Sequence, residues 1–351
     1  MKKISYSILI FLVFFEIMSI FFTHLELFIF NEKPKYSFEK KFLSDWIINE
    51  NHEIIWHIKN YKTRHESRCF DVEYKSNNIG ARDNNDYFKN PDSNAIMLIG
   101  DSFAEGVGVE INNTFAKVVE RRIDKKVFNF GVGGTNPRHQ LNKYIATGKD
   151  LSFNELIYFF LPQNDYLKPL KNKNKNKNKT YKTLNNEKPL ENKEKPLDLN
   201  LGAIKYQIVN ILARYTYSYN FLRSAAYILN INFSYGYENL AYFFKDNESI
   251  DYTFDYVENI IQQKKVKSYI LVIPTIYDIN NFQKNKSNYK DFYWFKKLSQ
   301  ISKRNNTTLI DLMDYIDFKK KHLYFHSCDG HWSKYGNSFA AKIFLKHYYR
   351  N

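Results

Sequence analysis

The stretch Ala95-Ile96-Met97-Leu98-Ile99-Gly100-Asp101-Ser102 joins an unbroken apolar run to a glycine and two polar residues. A short apolar run that ends at a glycine is typical of a buried strand in a parallel sheet. Open α/β sheets carry their functional groups just beyond the carboxyl ends of such strands. The pattern therefore predicts that Ser102 lies at that edge of a sheet.

A second polar cluster, Asp329-Gly330-His331-Trp332, lies near the other end of the chain. A serine hydroxyl is a weak nucleophile until an imidazole takes its proton and a carboxylate orients that imidazole. A strand-end serine together with a late Asp/His pair is the set of groups that nucleophilic attack on an ester requires.

Two further polar segments also follow apolar runs. The glycine-rich segment Asn129–Gly134 ends a predicted strand that starts at Lys126, and Leu161–Asp165 follows a predicted strand at 155–160. In this order the four segments resemble the signature blocks of the SGNH (GDSL) hydrolase superfamily, over about residues 78 to 347. The upstream segment Asn78–Arg82 resembles a lead-in of its membrane-anchored bacterial members.

The resemblance implies a three-layer α/β/α sandwich around a central parallel sheet, and no cofactor or bound metal. It makes Ser102 the nucleophile and His331 the general base. The Ser102 amide, the Gly134 amide and the Asn164 side chain would form the oxyanion hole. Glycine lets a backbone N–H approach a substrate oxygen, and an Asn amide adds a neutral, directional donor.

The acid departs from the commonest pattern of the superfamily, which has it three residues before the histidine. Cys328 occupies that position here, and Asp329 stands two residues before His331. The Asp-x-His spacing followed by Trp is similar to the alginate acetyltransferase-like branch, which makes Asp329 the orienting acid. Asp311, at the end of a predicted strand, is the alternative acid.

Each segment also has a purely structural interpretation. The Gly-Asp-Ser turn could cap a helix, and Asn164-Asp165 could be ordinary turn residues. A zinc site made of His322, His326, Asp329 and His331 is a further alternative, but their spacing does not match a helical metal motif. A non-catalytic protein that retains the fold is the remaining alternative.

The N-terminus predicts a membrane anchor. In the nineteen residues Ile4–Phe22 only Ser, Tyr and Glu16 interrupt the apolar side chains, and Leu25–Phe30 extends the run. A helix rises about 1.5 Å per residue, so this length can cross a bilayer. The apolar stretch is long for a signal peptide and no A-x-A-like site follows it, which favours an uncleaved anchor at residues 4–30.

Lys2 and Lys3 precede this segment and predict a cytoplasmic N-terminus. The rest of the chain would then lie on the periplasmic side of the inner membrane, as a single-pass protein. The two cysteines, Cys69 and Cys328, suit an oxidising compartment, either as a disulfide or as two free thiols.

Of the net charge of +15, +7 lies in one segment. Residues 168–195 contain ten Lys and three Glu, and 171–179 is a strict Lys-Asn alternation, so we predict a solvated loop at 168–196. Nucleic-acid binding would require the charge on a folded face, and we exclude it for a translocated domain. A basic surface still favours anionic lipid headgroups or acidic glycans.

Along the chain we predict the anchor, a polar linker and lead-in at 31–90, and an SGNH-like domain at 91–351 interrupted by an insertion at 166–247. Alternating strands and helices within the domain predict a parallel sheet covered on both faces. Residues 200–247 favour helix and are rich in aromatics, but Lys205, Arg214 and Arg223 exclude a second span. They could form a lid or a face resting on the membrane, although packing on the core is favoured.

These features predict a serine-dependent ester hydrolase or O-acyltransferase that acts on acyl groups of cell-envelope glycans or lipids. Both activities pass through an acyl-enzyme, and they differ in whether water or a sugar hydroxyl resolves it. The chain contains one predicted anchor, so a transferase would require an acyl-donor partner in the membrane or a soluble donor.

Overall fold

The computed structural model describes residues 2–25, 54–89, 94–166, 208–209, 211–229, 242, 246–285 and 288–350. The chain divides into two compact units. The helical unit comprises Met1–Phe38 and Leu170–Ile231, and the sheet unit comprises Glu39–Pro169 and Asn232–Asn351. The predicted Lys/Asn-rich loop at 168–196 lies outside the described residues, as does much of the predicted insertion at 166–247.

The sheet unit is built on five parallel strands. They are β3 (Ala95–Gly100), β4 (Lys126–Gly131), β5 (Glu155–Phe160), β6 (Lys267–Val272) and β7 (Thr308–Asp311), in the spatial order β4-β3-β5-β6-β7. The first strand of the sheet therefore lies between the second and the third. Chain connections run in opposite directions from such a point, which leaves a crevice at the carboxyl ends of β3 and β5.

Helices cover both faces of this sheet, which confirms the predicted three-layer α/β sandwich. All six residues of β3 and of β5 are buried, as expected for strands with a helix layer on each side. Successive side chains of β5 point to opposite faces: the Phe159 ring packs 4.8 Å from the Phe115 ring, and the Phe160 ring packs 5.2 Å from that of Phe254.

The helices of the sheet unit begin where the sequence provides caps. Thr114 accepts a hydrogen bond from the Lys117 N–H, Asp246 from the Ser249 N–H and Ser333 from the Gly336 N–H. The described α-helices of this unit are Ser102–Glu105, Phe115–Ile123, Pro137–Lys143, Pro162–Asp165, Asn247–Gln262, Ile276–Asn285, Tyr293–Arg304, Lys321–Tyr324 and Lys334–Tyr348.

A β-hairpin stands within the predicted linker and lead-in. Strands β1 (Lys62–Ser67) and β2 (Phe70–Lys75) pair antiparallel, and the inward-facing side chains of β2 form a small cluster of their own with Cys69. The alternating sequence of β2 is the signal that the interpretation as a polar linker overlooked. Cys69, in the hairpin turn, forms a disulfide with Cys328 across 259 residues of sequence.

The helical unit contains the N-terminal helix Lys2–His24, a helical segment at 211–215 and the helix Tyr217–Ile228. Tyr6–His24 is long and apolar enough to cross a membrane, with a mean hydropathy of 2.1. The Phe221 ring lies 6.2 Å from the Phe15 ring and 6.0 Å from the Phe22 ring, so the two helices pack against each other.

Candidate active site

Ser102 stands two residues after the end of β3 and begins a one-turn helix. The Asp101 carboxylate caps this turn by accepting a hydrogen bond from the Phe103 N–H at 3.0 Å. Gly106 ends the turn in the left-handed conformation, with φ of 82°, which a glycine adopts without strain. The predicted exit from strand to polar turn is thus present, and the capping interpretation holds for Asp101 rather than for Ser102.

The neighbouring strand approaches this turn so closely that only a glycine fits. A Cβ atom on Gly131, the last residue of β4, would overlap the backbone of Glu105. This contact brings the glycine-rich loop after β4 beside the turn that carries Ser102, as the carboxyl ends of adjacent parallel strands require.

His331 reaches Ser102 from a loop 229 residues further along the chain. Its Nε2 lies 2.9 Å from the Ser102 Oγ, and its Nδ1 lies 3.1 Å from the Asp329 Oδ1. The same carboxylate oxygen accepts a hydrogen bond from the His331 backbone N–H at 2.9 Å. An ionised carboxylate only accepts hydrogen bonds, so Nδ1 carries the proton and Nε2 is left to accept one from the serine.

The two charges of this pair favour each other. Burial lowers the pKa of His331, but the hydrogen bond and charge of Asp329 outweigh it and raise that pKa above its usual 6.5. Burial raises the pKa of Asp329, but His331 outweighs it and holds that pKa below its usual 3.8. The arrangement stabilises an imidazolium at the position where proton transfer from Ser102 would create one.

A tight turn and aromatic packing hold the His331 loop in place. The His326 N–H donates to the His331 carbonyl at 2.7 Å, and Gly330 adopts a left-handed φ of 83° within the turn. The Phe103 ring lies 5.4 Å from the His331 ring and 5.0 Å from that of Trp332. The residue after the serine and the residue after the histidine therefore pack together.

Candidate oxyanion donors lie on the loops after β4 and β5. Gly134 has a left-handed φ of 72°. Asn164 is exposed, and its Nδ2 donates to the Asp101 Oδ2 at 3.0 Å, which orients the amide and leaves its second N–H available. Within the described residues, the backbone N–H groups of Ser102 and Gly134 donate no hydrogen bond to protein atoms.

Glu105 is a residue of the site that the sequence interpretation missed. It is fully buried, and its Oε2 accepts a hydrogen bond from the Gly133 N–H at 2.6 Å. Its Oε1 lies 3.3 Å from the Nε2 of buried His57, whose Nδ1 contacts the Gly80 carbonyl at 3.0 Å. Burial raises the pKa of Glu105, but His57, Arg82 and the Gly133 N–H together outweigh it and lower that pKa. Glu105 thus fixes the amide next to that of Gly134.

Two buried basic side chains, Arg82 and Lys143, interact electrostatically with this carboxylate. Arg82 donates to the carbonyls of Gly106 and Val109, and its guanidinium stacks 3.6 Å from the centre of the Tyr74 ring. Lys143 donates to the carbonyl of Phe130, and burial lowers its pKa to about 7. The predicted lead-in around Arg82 therefore braces the turn that carries Ser102, a role that its sequence alone did not reveal.

Two alternative interpretations concern Asp311 as the acid and a zinc site in place of a serine site. Asp311 accepts hydrogen bonds from the hydroxyls of Tyr289 and Tyr242 and from the Met313 N–H, which accounts for its strand-end position. Its burial raises its pKa to about 6. Among the described residues, no group of three or more His, Cys, Asp and Glu side chains is arranged to hold a metal ion.

No family model matches the chain. No curated protein matches it either. Among solved structures, it is similar to a member of the lipolytic protein G-D-S-L family from Veillonella parvula, at 11% identity and a TM-score of 0.39, over 74% of this chain and 100% of that one. It is also similar to a lipase/acylhydrolase from Enterococcus faecalis, at 13% identity and a TM-score of 0.39, over 72% and 94%. An acetyl xylan esterase matches at 11% identity and a TM-score of 0.38, over 72% and 98%.

Proposed function

We propose that this chain is a serine-dependent ester hydrolase or O-acyltransferase that works through an acyl-enzyme. The observation that carries the proposal is the continuous contact from the Ser102 Oγ to the His331 Nε2 at 2.9 Å and from the His331 Nδ1 to Asp329 at 3.1 Å. In this proposal Ser102 is the nucleophile, His331 the general base and Asp329 the orienting acid.

In the first step the Ser102 oxygen bonds to the acyl carbon of the ester while its proton moves to the His331 Nε2. The carbonyl oxygen becomes an oxyanion, and the amides of Ser102 and Gly134 with the side chain of Asn164 are proposed to receive it. Each such donor typically contributes about 3 kcal/mol to lowering the barrier. Glu105, through the Gly133 N–H, would keep the Gly134 loop in position.

The tetrahedral intermediate then collapses, and the ester C–O bond breaks as the His331 Nε2 gives its proton to the leaving alcohol. A water or a sugar hydroxyl next donates its proton to the same nitrogen and attacks the acyl-serine. The second tetrahedral intermediate collapses, the bond between the acyl carbon and the Ser102 Oγ breaks, and the His331 Nε2 returns that proton to the Ser102 Oγ. Water gives hydrolysis and a sugar hydroxyl gives acyl transfer. The exclusion of water from the cleft would decide between them.

The proposed substrates are acyl groups on glycans or lipids of the cell envelope. The apolar N-terminal helix, preceded by Lys2 and Lys3, supports an inner-membrane anchor with the sheet unit on the periplasmic side. The Cys69–Cys328 disulfide supports an oxidising compartment. The proposed domains keep the predicted bounds of 4–30 for the anchor and 91–351 for the catalytic domain, and a transferase would require an acyl-donor partner.

A fluorophosphonate probe tests the proposal, because it bonds only to an activated serine. We expect the probe to label the full chain at Ser102, and Ser102→Ala to lose both the label and the hydrolysis of p-nitrophenyl acetate. Ser268→Ala is a matched control, since Ser268 is also buried but pairs with Thr307 away from the site. A folded wild-type chain that neither reacts with the probe nor hydrolyses the ester would instead indicate a non-catalytic glycan-binding protein.

The same preparation separates hydrolysis from transfer. The acyl-enzyme is formed from a chromogenic ester in the presence and absence of an oligosaccharide with free hydroxyls, and the acyl products are quantified. A hydrolase releases the same amount of free acid in both cases, whereas a transferase moves the acyl group to the sugar at the expense of the free acid.

A further inference from the structure

The helical unit contains a break between two helical segments. On both sides of the break, side chains form hydrogen bonds with backbone groups. Residues 211–215 are helical, Thr216 is not, and the helix Tyr217–Ile228 follows. The Glu16 carboxylate accepts hydrogen bonds from the N–H groups of Tyr217 and Ser218, at 2.6 and 2.9 Å. These are first-turn amides that have no partner within their own helix.

The carbonyl side of the break is satisfied in the same way. The Asn220 Nδ2 donates to the carbonyl of Ala213 at 2.9 Å and to that of Thr216 at 2.8 Å. The hydroxyl of Thr216 donates to the carbonyl of Leu212 at 2.8 Å. At a protein surface water would satisfy these groups, whereas in hydrocarbon the protein has to provide every partner itself.

The helical unit buries small polar side chains and exposes large apolar ones, which is the reverse of the pattern in a water-soluble domain. Four small polar residues are buried: Ser19, Thr23, Asn220 and Ser224. Both pairs are spaced by four residues, so each lies on one face of its helix. Large apolar side chains are more than half exposed on the N-terminal helix and on residues 211–228, among them Phe11, Phe14, Ile17, Ile211 and Leu222. Small polar interfaces between helices with apolar outer faces are typical of packing in a membrane.

Glu16 fixes the depth of the break. It stands eight residues before His24, the end of the N-terminal helix, which is about 12 Å at the helical rise per residue. If the N-terminal helix crosses a bilayer, the first turn of Tyr217–Ile228 therefore lies inside the hydrocarbon layer. Arg214 and Arg223 flank that turn, and their long side chains can extend toward the headgroups.

The pairing of β5 with β6 constrains the path of the chain between these two strands. Strand β5 precedes the segment in the chain and strand β6 follows it, and the two strands are hydrogen-bonded neighbours. The chain between these two strands therefore leaves and returns on one side of any membrane.

We propose that residues 211–229 form a re-entrant element in the lipid bilayer, packed on the N-terminal helix and capped there by Glu16. The partner of its exposed apolar face is the acyl chains of the lipids. The charged residues that exclude a second span do not exclude an element that enters and leaves on one face.

Thiol labelling of the full chain in lipid nanodiscs tests this proposal. Among the described residues both native cysteines are in the disulfide, so an introduced cysteine supplies the free thiol. Leu222→Cys and Ile211→Cys are compared with Phe88→Cys and Tyr349→Cys in the sheet unit. The native side chains are similarly exposed, at 54% and 57% against 67% and 66%.

With a charged maleimide we expect the two controls to be labelled severalfold faster than Leu222→Cys and Ile211→Cys. With a lipid-soluble maleimide all four should be labelled. Equal labelling of all four by the charged reagent overturns the proposal. Protection of Leu222→Cys from both reagents also overturns it, because protein rather than lipid would then cover the site. In nanodiscs that carry one copy of the chain, a second copy cannot be what protects Leu222→Cys.

Substitution of the cap provides the second arm. In Glu16→Leu the anchor becomes more apolar while the amides of Tyr217 and Ser218 lose their acceptor, so charged labelling of Leu222→Cys should rise severalfold. Glu16→Gln keeps an acceptor oxygen and should retain most of the protection, as should the neighbouring control Ile17→Leu. If Glu16→Leu leaves the labelling unchanged, the capping role is wrong.

Discussion

The sheet unit and the helical unit bury opposite kinds of residue. The interior strands of the sheet unit, β3 and β5, are wholly buried and mainly apolar, and its polar groups of chemical interest gather at the strand ends. The helical unit buries Ser19, Thr23 and Asn220 and exposes its large apolar side chains. The hydrophobic effect orders the first unit against water. In the bilayer proposed for the second unit, lipid would remove that driving force and leave hydrogen bonds and close packing to order it.

The comparison is sharpest between two carboxylates. Glu105 in the sheet unit and Glu16 in the helical unit each accept hydrogen bonds from backbone N–H groups of a distant segment. Glu105 fixes a loop beside the candidate nucleophile, and Glu16 fixes a second helix against the N-terminal helix. If this distinction is correct, substitution of Glu105 changes catalysis, whereas substitution of Glu16 changes only the position of a helix.

The largest effect is expected for Ser102→Ala and His331→Ala. Each should lower kcat for a short acyl ester by a factor on the order of 10⁵, because members of a triad act as a unit. The double variant should therefore be scarcely slower than either single variant. Steady-state kinetics on all three proteins checks this, and losses that multiply would contradict a shared Ser–His mechanism.

Asp329→Asn should lower kcat by roughly 10⁴, because an amide favours the histidine tautomer that cannot accept the serine proton. Binding of a substrate analogue should stay nearly intact. Asp311→Asn is the control: it disturbs the hydrogen bonds from Tyr289 and Tyr242, so it should lower the melting temperature and leave kcat close to the wild-type value. The reverse pattern would make Asp311 the acid.

Glu105→Ala should lower kcat by about 10²-fold with little change in KM, because a loosened Gly133–Gly134 loop affects the oxyanion more than the bound ester. Glu105→Gln retains an acceptor for the Gly133 N–H and should fall between wild type and Glu105→Ala. The control is Glu155→Gln, a buried carboxylate that pairs with Lys125 at a distance from the site. Equal changes in kcat for Glu105→Ala and Glu155→Gln would reduce Glu105 to a stability residue.

Changes in pH should alter kcat/KM by less than the substitutions above do. His331 has to be neutral to accept a proton, and its pKa is raised, so kcat/KM should rise with pH through a value above 6.5. The matching contribution of the ion pair to stability is full between 3.8 and 6.5. It is lost as pH rises through the raised pKa of His331, and also as pH falls through the lowered pKa of Asp329. Asp329→Asn should move the acid limb of its residual activity to lower pH, and an unmoved limb would assign it to another group.

The smallest effect is expected in the helical unit. Glu16→Leu should leave kcat for a soluble ester in detergent within error of wild type, because its partners are the amides of Tyr217 and Ser218. Kinetics on Glu16→Leu beside Glu105→Ala compares the two carboxylates directly. A large fall in kcat for Glu16→Leu would break the distinction between the two units.

Local signals in the sequence were sufficient for the framework of the sheet unit. The apolar run before Gly100 predicted β3, and the sequence also provides Ser333 and Pro137 where the helices Lys334–Tyr348 and Pro137–Lys143 begin. Periodicity and capping act within a few residues, so the chain shows them directly. The same kind of signal was present in β2, where Phe70, Val72 and Tyr74 alternate with charged residues, and the interpretation as a linker missed it.

By itself, the sequence determined which residues could take part in chemistry: Ser102, His331, Asp329, Gly134 and Asn164 were named from four segments and their resemblance to the superfamily's signature blocks. Only the tertiary structure decided which groups meet. It joined Cys69 to Cys328, set Glu105 against Gly133 and His57, turned Asp311 toward two tyrosines, and brought Glu16 to a helix 201 residues later. Such contacts depend on the path of the whole chain and on which buried groups lack a partner, and no short stretch of sequence encodes either.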